Sequence, residues 1–325
     1  MIITDFRRGF SRSYNTISNF VKPTVYANTG SAIYNEVDSD RKFATILSKT
    51  AFINQLEDTM LSCPGQVTED LQAILPRLEI NKSSDVYIDE TITSLEVPHR
   101  IASAWFLKHS KMTNGENFNV ILQEKIKNVG IHSAVAYWDP NSLIHGYMFT
   151  MLENVNPNYS KSTGCIEGEI TAFDIVKVKN AGVANDPISP KSKFTVNGRE
   201  LEKASTEVTG NIVISDSVLV KSNNIRLTLK LNYNRINKLP VAPEVRAYLL
   251  ELANLQVARL LNDEIDVRVH TVLEPVDGEY DKYDADAIIE RLGKAANICF
   301  EKDLMNPEVV TSFDAHVSAS KVKKK

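Results

Sequence analysis

The chain has 325 residues, 43% of them hydrophobic and 24% charged, with a formal net charge of −4 at pH 7. Such a length buries a large core in one big domain or two, the composition is that of a globular protein, and the charge excludes a bulk polyanion binder while leaving room for a local basic groove. No apolar run approaches the roughly 18 residues of a membrane helix. Cys63, Cys165 and Cys299 follow no metal-ligand or disulfide spacing, and 1–15 lacks an apolar core of signal-peptide length. A cytoplasmic protein with reduced thiols is expected.

Residues 1–30 read as irregular. The first clear helix is predicted over 41–62, where Phe43, Ile46, Leu47, Ile53, Leu56 and Met60 recur at helical spacing. Ser39 or Asp40 caps it and Cys63-Pro64-Gly65 stops it. Asn54, Gln55 and Glu57 flank Leu56 and read as a solvated polar face. Residues 67–110 hold a short helix, an extended piece at 85–88, and a helix opened by Pro98 that runs through Trp105 to about 109, with His99 and Arg100 in its first turn. Residues 111–117 form a loop with a Thr-Asn-Gly turn.

The stretch 129–190 is the centre of the reading. A strand-like run at 132–138, a turn at Asp139-Pro140-Asn141-Ser142 and a second apolar run at 143–152 predict a β-hairpin, with His132 and His145 near the strand starts. Neither histidine has the close Cys, Asp or Glu of a metal site. A further strand, 166–178, leaves through Lys179-Asn180-Ala181-Gly182 into a polar segment. From Lys177 to Lys203, six cations (Lys177, Lys179, Lys191, Lys193, Arg199, Lys203) face three acids (Asp186, Glu200, Glu202), a local +3. Within it Asn197-Gly198 is the turn of a two-residue hairpin over 194–201. A basic hairpin leaving a sheet is a candidate clasp for nucleic acid or a partner.

Strands are predicted at 212–220 and 225–231, a helix at 243–261 with Val245, Leu249, Leu252, Ala253 and Leu260 on one face, a strand at 265–273, and a last helix capped by Asp284. The tail 314–325 is basic and expected to be disordered. This order is α+β, with a four- or five-stranded antiparallel sheet of RRM- or ferredoxin-like type (a palm), helical additions and a protruding β-hairpin thumb over 183–211, all in one body spanning 1–325.

Laid out in order, several blocks resemble a known family. Asn54-Gln55-Leu56-Glu57 resembles its Asn-Arg-Leu-Glu helix motif. Thr93-Ser94-Leu95-Glu96-Val97-Pro98-His99-Arg100 resembles its Ser-Leu-x-x-x-His-Arg block. Asp139-Pro140-Asn141-Ser142-Leu143-Ile144-His145-Gly146 resembles its Asp-Pro-x-Ser-Leu-x-His-Gly segment. The strand from Ile166-Glu167 to Asp174 and the loop Lys179-Asn180-Ala181-Gly182-Val183-Ala184-Asn185-Asp186 resemble its Ile-Glu-Ala strand and Ser-Gly-Gly-Val-Lys-Asn-Asp loop. The family is the RAMP backbone subunit of type I CRISPR effector (Cascade) complexes, in the type I-G (formerly I-U) branch, and the likeness covers about 24–275 in patches. Gln55, Ala181 and Ala184 depart from the motif arginine, glycine and lysine.

The resemblance implies a protein that catalyses nothing and needs neither cofactor nor metal. Copies of it polymerise along one crRNA and present it for pairing with a target DNA strand, beside other effector subunits and away from membranes. On this reading Arg100, Lys177, Lys179, Lys191, Lys193 and Arg199 supply charge to the guide. Asn54, Gln55, His99, His132, His145, Asn180 and Asn185 donate to phosphates or 2′-hydroxyls, and Gly146 and Gly182 let backbones approach. Two other readings compete: a RAMP endoribonuclease that trims guide RNA with His99, His132 or His145 as base, and a structural or phage-assembly subunit without nucleic acid.

Overall fold

The structure, a computed structural model, describes residues 10–16, 20–26, 30–82, 88, 90–152, 161–180, 194–196, 199–201, 218–268, 271–276 and 282–315. The principal sheet contains β1 (Phe10–Thr16), β2 (Ile33–Asn35), β3 (Lys42–Leu47), β4 (Ile166–Phe173), β5 (Asn224–Leu231), β6 (Ile265–Arg268) and β7 (Thr271–Pro275). Their order is β6-β7-β1-β5-β4-β3-β2, and every neighbouring pair is antiparallel. The helices are α1 (Lys49–Asp58), α2 (Ala104–Leu107), α3 (Phe118–Val129), α4 (Ile131–Trp138), α5 (Asn141–His145), α6 (Tyr233–Asn237), α7 (Pro243–Asn262) and α8 (Ala285–Glu301).

Two interleaved crossovers organise this list. The unit β1–α1–β4 has β5 inserted between its strands, and β5–α7–β7 has β1 inserted between its own. These are the split βαβ units of a ferredoxin-like palm, so the α+β class holds, with helical additions. The sheet is wider than the four or five strands expected, because β2 and β6 extend its two edges. One face is buried: Ile225, Leu227, Leu229 and Leu231 point inward from β5, Ile166, Ile170 and Ala172 from β4. Each large apolar side chain so buried contributes about 1.5–3 kcal/mol. The residues between them, Arg226, Thr228 and Lys230 on β5 and Glu167 on β4, are exposed, which is the period-two pattern of a sheet with one face solvated.

Helix α1 sits on β4 through a close approach. A Cβ at Gly168 would lie 2.3 Å from a ring carbon of the fully buried Phe52. Gly168→Val is therefore expected to push α1 off the sheet and cost about 1–3 kcal/mol; a urea midpoint unchanged from the parent would refute this.

Several elements differ from the sequence expectations. The helix predicted over 41–62 is a strand and a helix in series. Ser48 caps α1, its Oγ accepting from the Ala51 N–H at 3.4 Å, and the apolar spacing that mimicked one helix straddles the junction. After α1, Leu61–Cys63 pairs with Gln66–Val67 around Pro64-Gly65, where Gly65 has φ +75°. The 129–152 segment is not a β-hairpin. Ile131, Ala134 and Val135 face the core at helical spacing in α4, α5 follows Pro140, and only Gly146–Met148 is extended, pairing with Lys161–Thr163. The long strand expected over 166–178 breaks at Asp174 (φ +50°) into β4 and Val176–Asn180, which pairs with Val218–Lys221 in a second sheet. The N-terminal stretch read as irregular supplies β1, between β5 and β7. The helix begun at Pro98 is a 3-10 turn, Arg100–Ala102, followed by α2 with Ser103 as its cap. Helix α3 and the strand Val310–Ala315, parallel to Arg77–Ile80, were not foreseen.

Other expectations hold. β5, α7 and α8 lie where predicted, and Asp284 Oδ1 accepts from the Ala287 N–H at 3.0 Å. Phe194–Val196 pairs with Arg199–Leu201, with Val196 opposite Arg199. The rest of the 183–211 thumb, including the Asn197-Gly198 turn, lies outside the described residues, as does 316–325 of the tail; Asp314 and Ala315 belong to a strand.

Candidate nucleic-acid interface

Three blocks of the family resemblance, 54–57, 93–100 and 139–146, meet in the interior. Arg100 donates to Glu57 through Nε (2.7 Å to Oε1) and Nη2 (2.6 Å to Oε2). Asn141 Nδ2 donates to the same Oε1 at 2.6 Å, and Gln256 Nε2 donates to Asn141 Oδ1 at 2.8 Å. His145 Nε2 lies 3.0 Å from Gln256 Oε1. With the amide so oriented, His145 carries its proton on Nε2, and burial holds its pKa well below the usual imidazole value. Ser142 Oγ donates to Asp139 Oδ2 at 2.8 Å, and burial raises the Asp139 carboxyl. The network ties α1, the 3-10 turn, α5 and α7 together. Gln256, fully buried on an otherwise apolar helix face, gave no signal in the sequence.

Arg100 and His145 were expected at guide phosphates and are instead interior, 7% and 6% exposed. A guanidinium leaves water only with a carboxylate to meet it, and Glu57, read from sequence as solvated, is that carboxylate. Gly146 was expected to admit a ligand backbone. At φ +90°, a Cβ there would lie 2.8 Å from Ser162 O and Gly164 N, so the close approach is to its own chain.

Burial, only partly offset by Arg100, raises the Glu57 carboxyl to about 7. An unfolded glutamate titrates near 4.3. The folded state therefore holds the proton where the unfolded chain has lost it, and this contribution to stability is fully present below about 4.3 and is lost as pH rises through about 7. Thermal melts at pH 5 and pH 8 should show the parent losing more stability across that interval than Glu57→Gln. Parallel profiles would contradict this assignment.

The other expected contacts are scattered. Asn54 and His99 are exposed and Gln55 is half-buried. His132 is half-buried with its ring centroid 6.1 Å from that of Tyr147, and burial lowers its pKa. Lys177 is exposed on the strand after the Asp174 break; Lys179 and Asn180 continue that strand. Arg199 lies in the short ribbon. Gly182, Asn185, Lys191 and Lys193 lie outside the described residues.

Concave surface gathers where β4 leaves the sheet. A groove of about 850 Å³ is lined by Arg41, Lys42, Asp174 and Lys177 among others, and an adjoining one of about 260 Å³ by Arg41, Lys42, Phe43, Phe173, Asp174 and Arg226. Sequence reasoning missed Arg41, Lys42 and Arg226: it placed the first two at the start of a helix, and the third lies within a predicted strand whose solvated face gave no separate signal. Among the described residues no group of three or more His, Cys, Asp or Glu suits a metal ion, and no helix is long and apolar enough to cross a membrane.

The family model described as CRISPR-associated protein GSU0053 matches residues 17–177. That segment runs from the edge of β1 through α1, Arg100, Asn141 and His145 to the end of β4 and the groove at Lys177. No curated protein matches the chain. The chain is a CRISPR-associated (Cas) protein.

Proposed function

We propose that the chain is a non-catalytic guide-RNA-binding backbone subunit of a type I CRISPR effector complex, of the type I-G branch. Copies of it polymerise along the crRNA and present it to a target DNA strand, next to other effector subunits. The observation that carries this reading is the exit of β4. At Asp174 the chain leaves the open face of a palm belonging to a CRISPR-associated protein, passes the groove at Lys177, and enters the segment 177–203 with its excess of three positive charges. Sequence information is delegated to base pairing, so the protein's task is contact with phosphate and sugar. Lys177, Lys179, Lys191, Lys193 and Arg199 supply that charge on this reading, joined by Arg41 and Lys42 on the palm. Asn54, His99, Asn180 and Asn185 are the remaining hydrogen-bonding candidates.

The test is direct. The purified protein should carry RNA, seen as excess absorbance at 260 nm, and should bind added repeat RNA without cutting it. Cleavage that survives repurification and disappears on replacing His99 or His132 would establish the endoribonuclease instead. Protein free of RNA and unable to bind it would point to an assembly subunit.

A further inference from the structure

We propose that the open face of the principal sheet carries a stacking platform for one unpaired base of single-stranded nucleic acid, built from Tyr34, Phe43 and Phe173 with Arg226 beside them. This rests on the reading that the chain binds RNA, and assigns it a contact made by the palm rather than by the basic segment.

Tyr34 on β2, Phe43 on β3 and Phe173 on β4 form a row across three adjacent strands. Tyr34 is opposite Phe43 in the β2–β3 register, and the ring centroids follow at 5.3 Å and 6.3 Å. The Arg226 guanidinium, on the next strand, lies 5.9 Å from the Phe173 centroid, and its Nε donates to Asn224 Oδ1 at 2.9 Å, which fixes its plane. These side chains share the solvated face with Thr45, Thr171, Thr228 and Lys230, so hydrophobic burial does not account for three aromatic rings there. Tyr34 is 44% exposed. Successive rings in the row are tilted by 33°. The core pairs Phe106–Phe313 and Phe118–Phe313 meet at 59° and 90°, edges packed into faces. The flatter arrangement leaves ring faces for a flat third partner.

The occupant follows from charge and size. The groove over Phe43 and Phe173, about 260 Å³, is below the range for drug-sized ligands and suits a single ring system. Its rim sets Arg41, Lys42 and Arg226 against Glu36 and Asp174. Arg41 is held by Asp174 only loosely, at 3.9 Å with both side chains largely exposed, so an incoming phosphate can take it over. Aromatic faces flanked by cations match a base and its phosphate, and stacking of this kind tolerates any base. The next groove, with Lys177, continues the track toward the basic segment.

The experiment compares the parent, Phe43→Leu/Phe173→Leu, and Lys191→Glu/Lys193→Glu. The probe is a short single-stranded RNA carrying 4-thiouridine, followed by anisotropy and photo-cross-linking. Leucine keeps the apolar volume and removes the flat face. The platform variant should bind about tenfold more weakly or worse with its salt slope unchanged. Cross-links in the parent should map to the peptides containing Tyr34, Phe43 or Phe173. Parent-like binding by the platform variant, with loss confined to the lysine variant, overturns the platform and leaves the backbone role standing. A parent that binds no RNA overturns both. Should the platform variant fail to fold, Tyr34→Ala and Arg226→Ala carry the test: both residues are exposed, and parent-like binding by both overturns the proposal.

Discussion

Replacing Glu57 with alanine is expected to cost about 3–5 kcal/mol of folding stability, a large part of the ~5–15 kcal/mol that holds a typical domain together. The carboxylate is 2% exposed and receives two hydrogen bonds from Arg100 and one from Asn141. Removing it strands a guanidinium in the interior and frees an amide donor, and neither has water to turn to. Arg100 cannot swing out cheaply, because its side chain is enclosed by the surrounding core and only 9% exposed. Glu57→Gln keeps the shape and one acceptor, so it should cost less than alanine. Exchanging both partners for apolar residues, as in Glu57→Leu/Arg100→Met, should cost less than Glu57→Ala alone, since the desolvation penalty leaves with the charges. Urea denaturation of the three variants measures this. A Glu57→Ala midpoint within about 1 kcal/mol of the parent would mean the pair is not a keystone.

Reversing two charges in the basic segment, Lys191→Glu and Lys193→Glu, is expected to weaken RNA binding by a similar factor for every RNA sequence tested. On the proposed function, two phosphate contacts become two repulsions. The slope of log affinity against log salt should fall by roughly 1.4–1.8, at about 0.7 per phosphate of a single strand or 0.9 of a duplex. The origin of the effect is the sequence charge of 177–203, six cations against three acids within a chain of net −4. The melting temperature serves as control, because charge reversal in a segment so poor in apolar residues has little core to disturb. If affinity and salt slope match the parent, that segment is not a nucleic-acid clasp.

The contrast between these two sites shows how far local pattern reaches. The alternation of Ile225, Leu227, Leu229 and Leu231 with Arg226, Thr228 and Lys230 determined β5 and its two faces. The apolar face of α7 and the Asp284 cap of α8 were equally legible, and strands and helices in that order determined the α+β class. These features depend on neighbours within one or two turns or pleats, which a sequence displays. Tertiary structure decided the rest. Short apolar runs such as 131–138 satisfy helix and strand periods alike, and packing beside α3 and α5 chose the helix. β1 has too little apolar character to announce itself and is ordered by pairing with β5 and β7. Glu57, Arg100, Asn141 and Gln256 look like surface residues wherever they occur. Their partners lie 43, 84 and 115 positions away. A buried charge or amide is tolerated only where the fold delivers its complement, so burial of such residues is a property of the assembled chain and of no single segment.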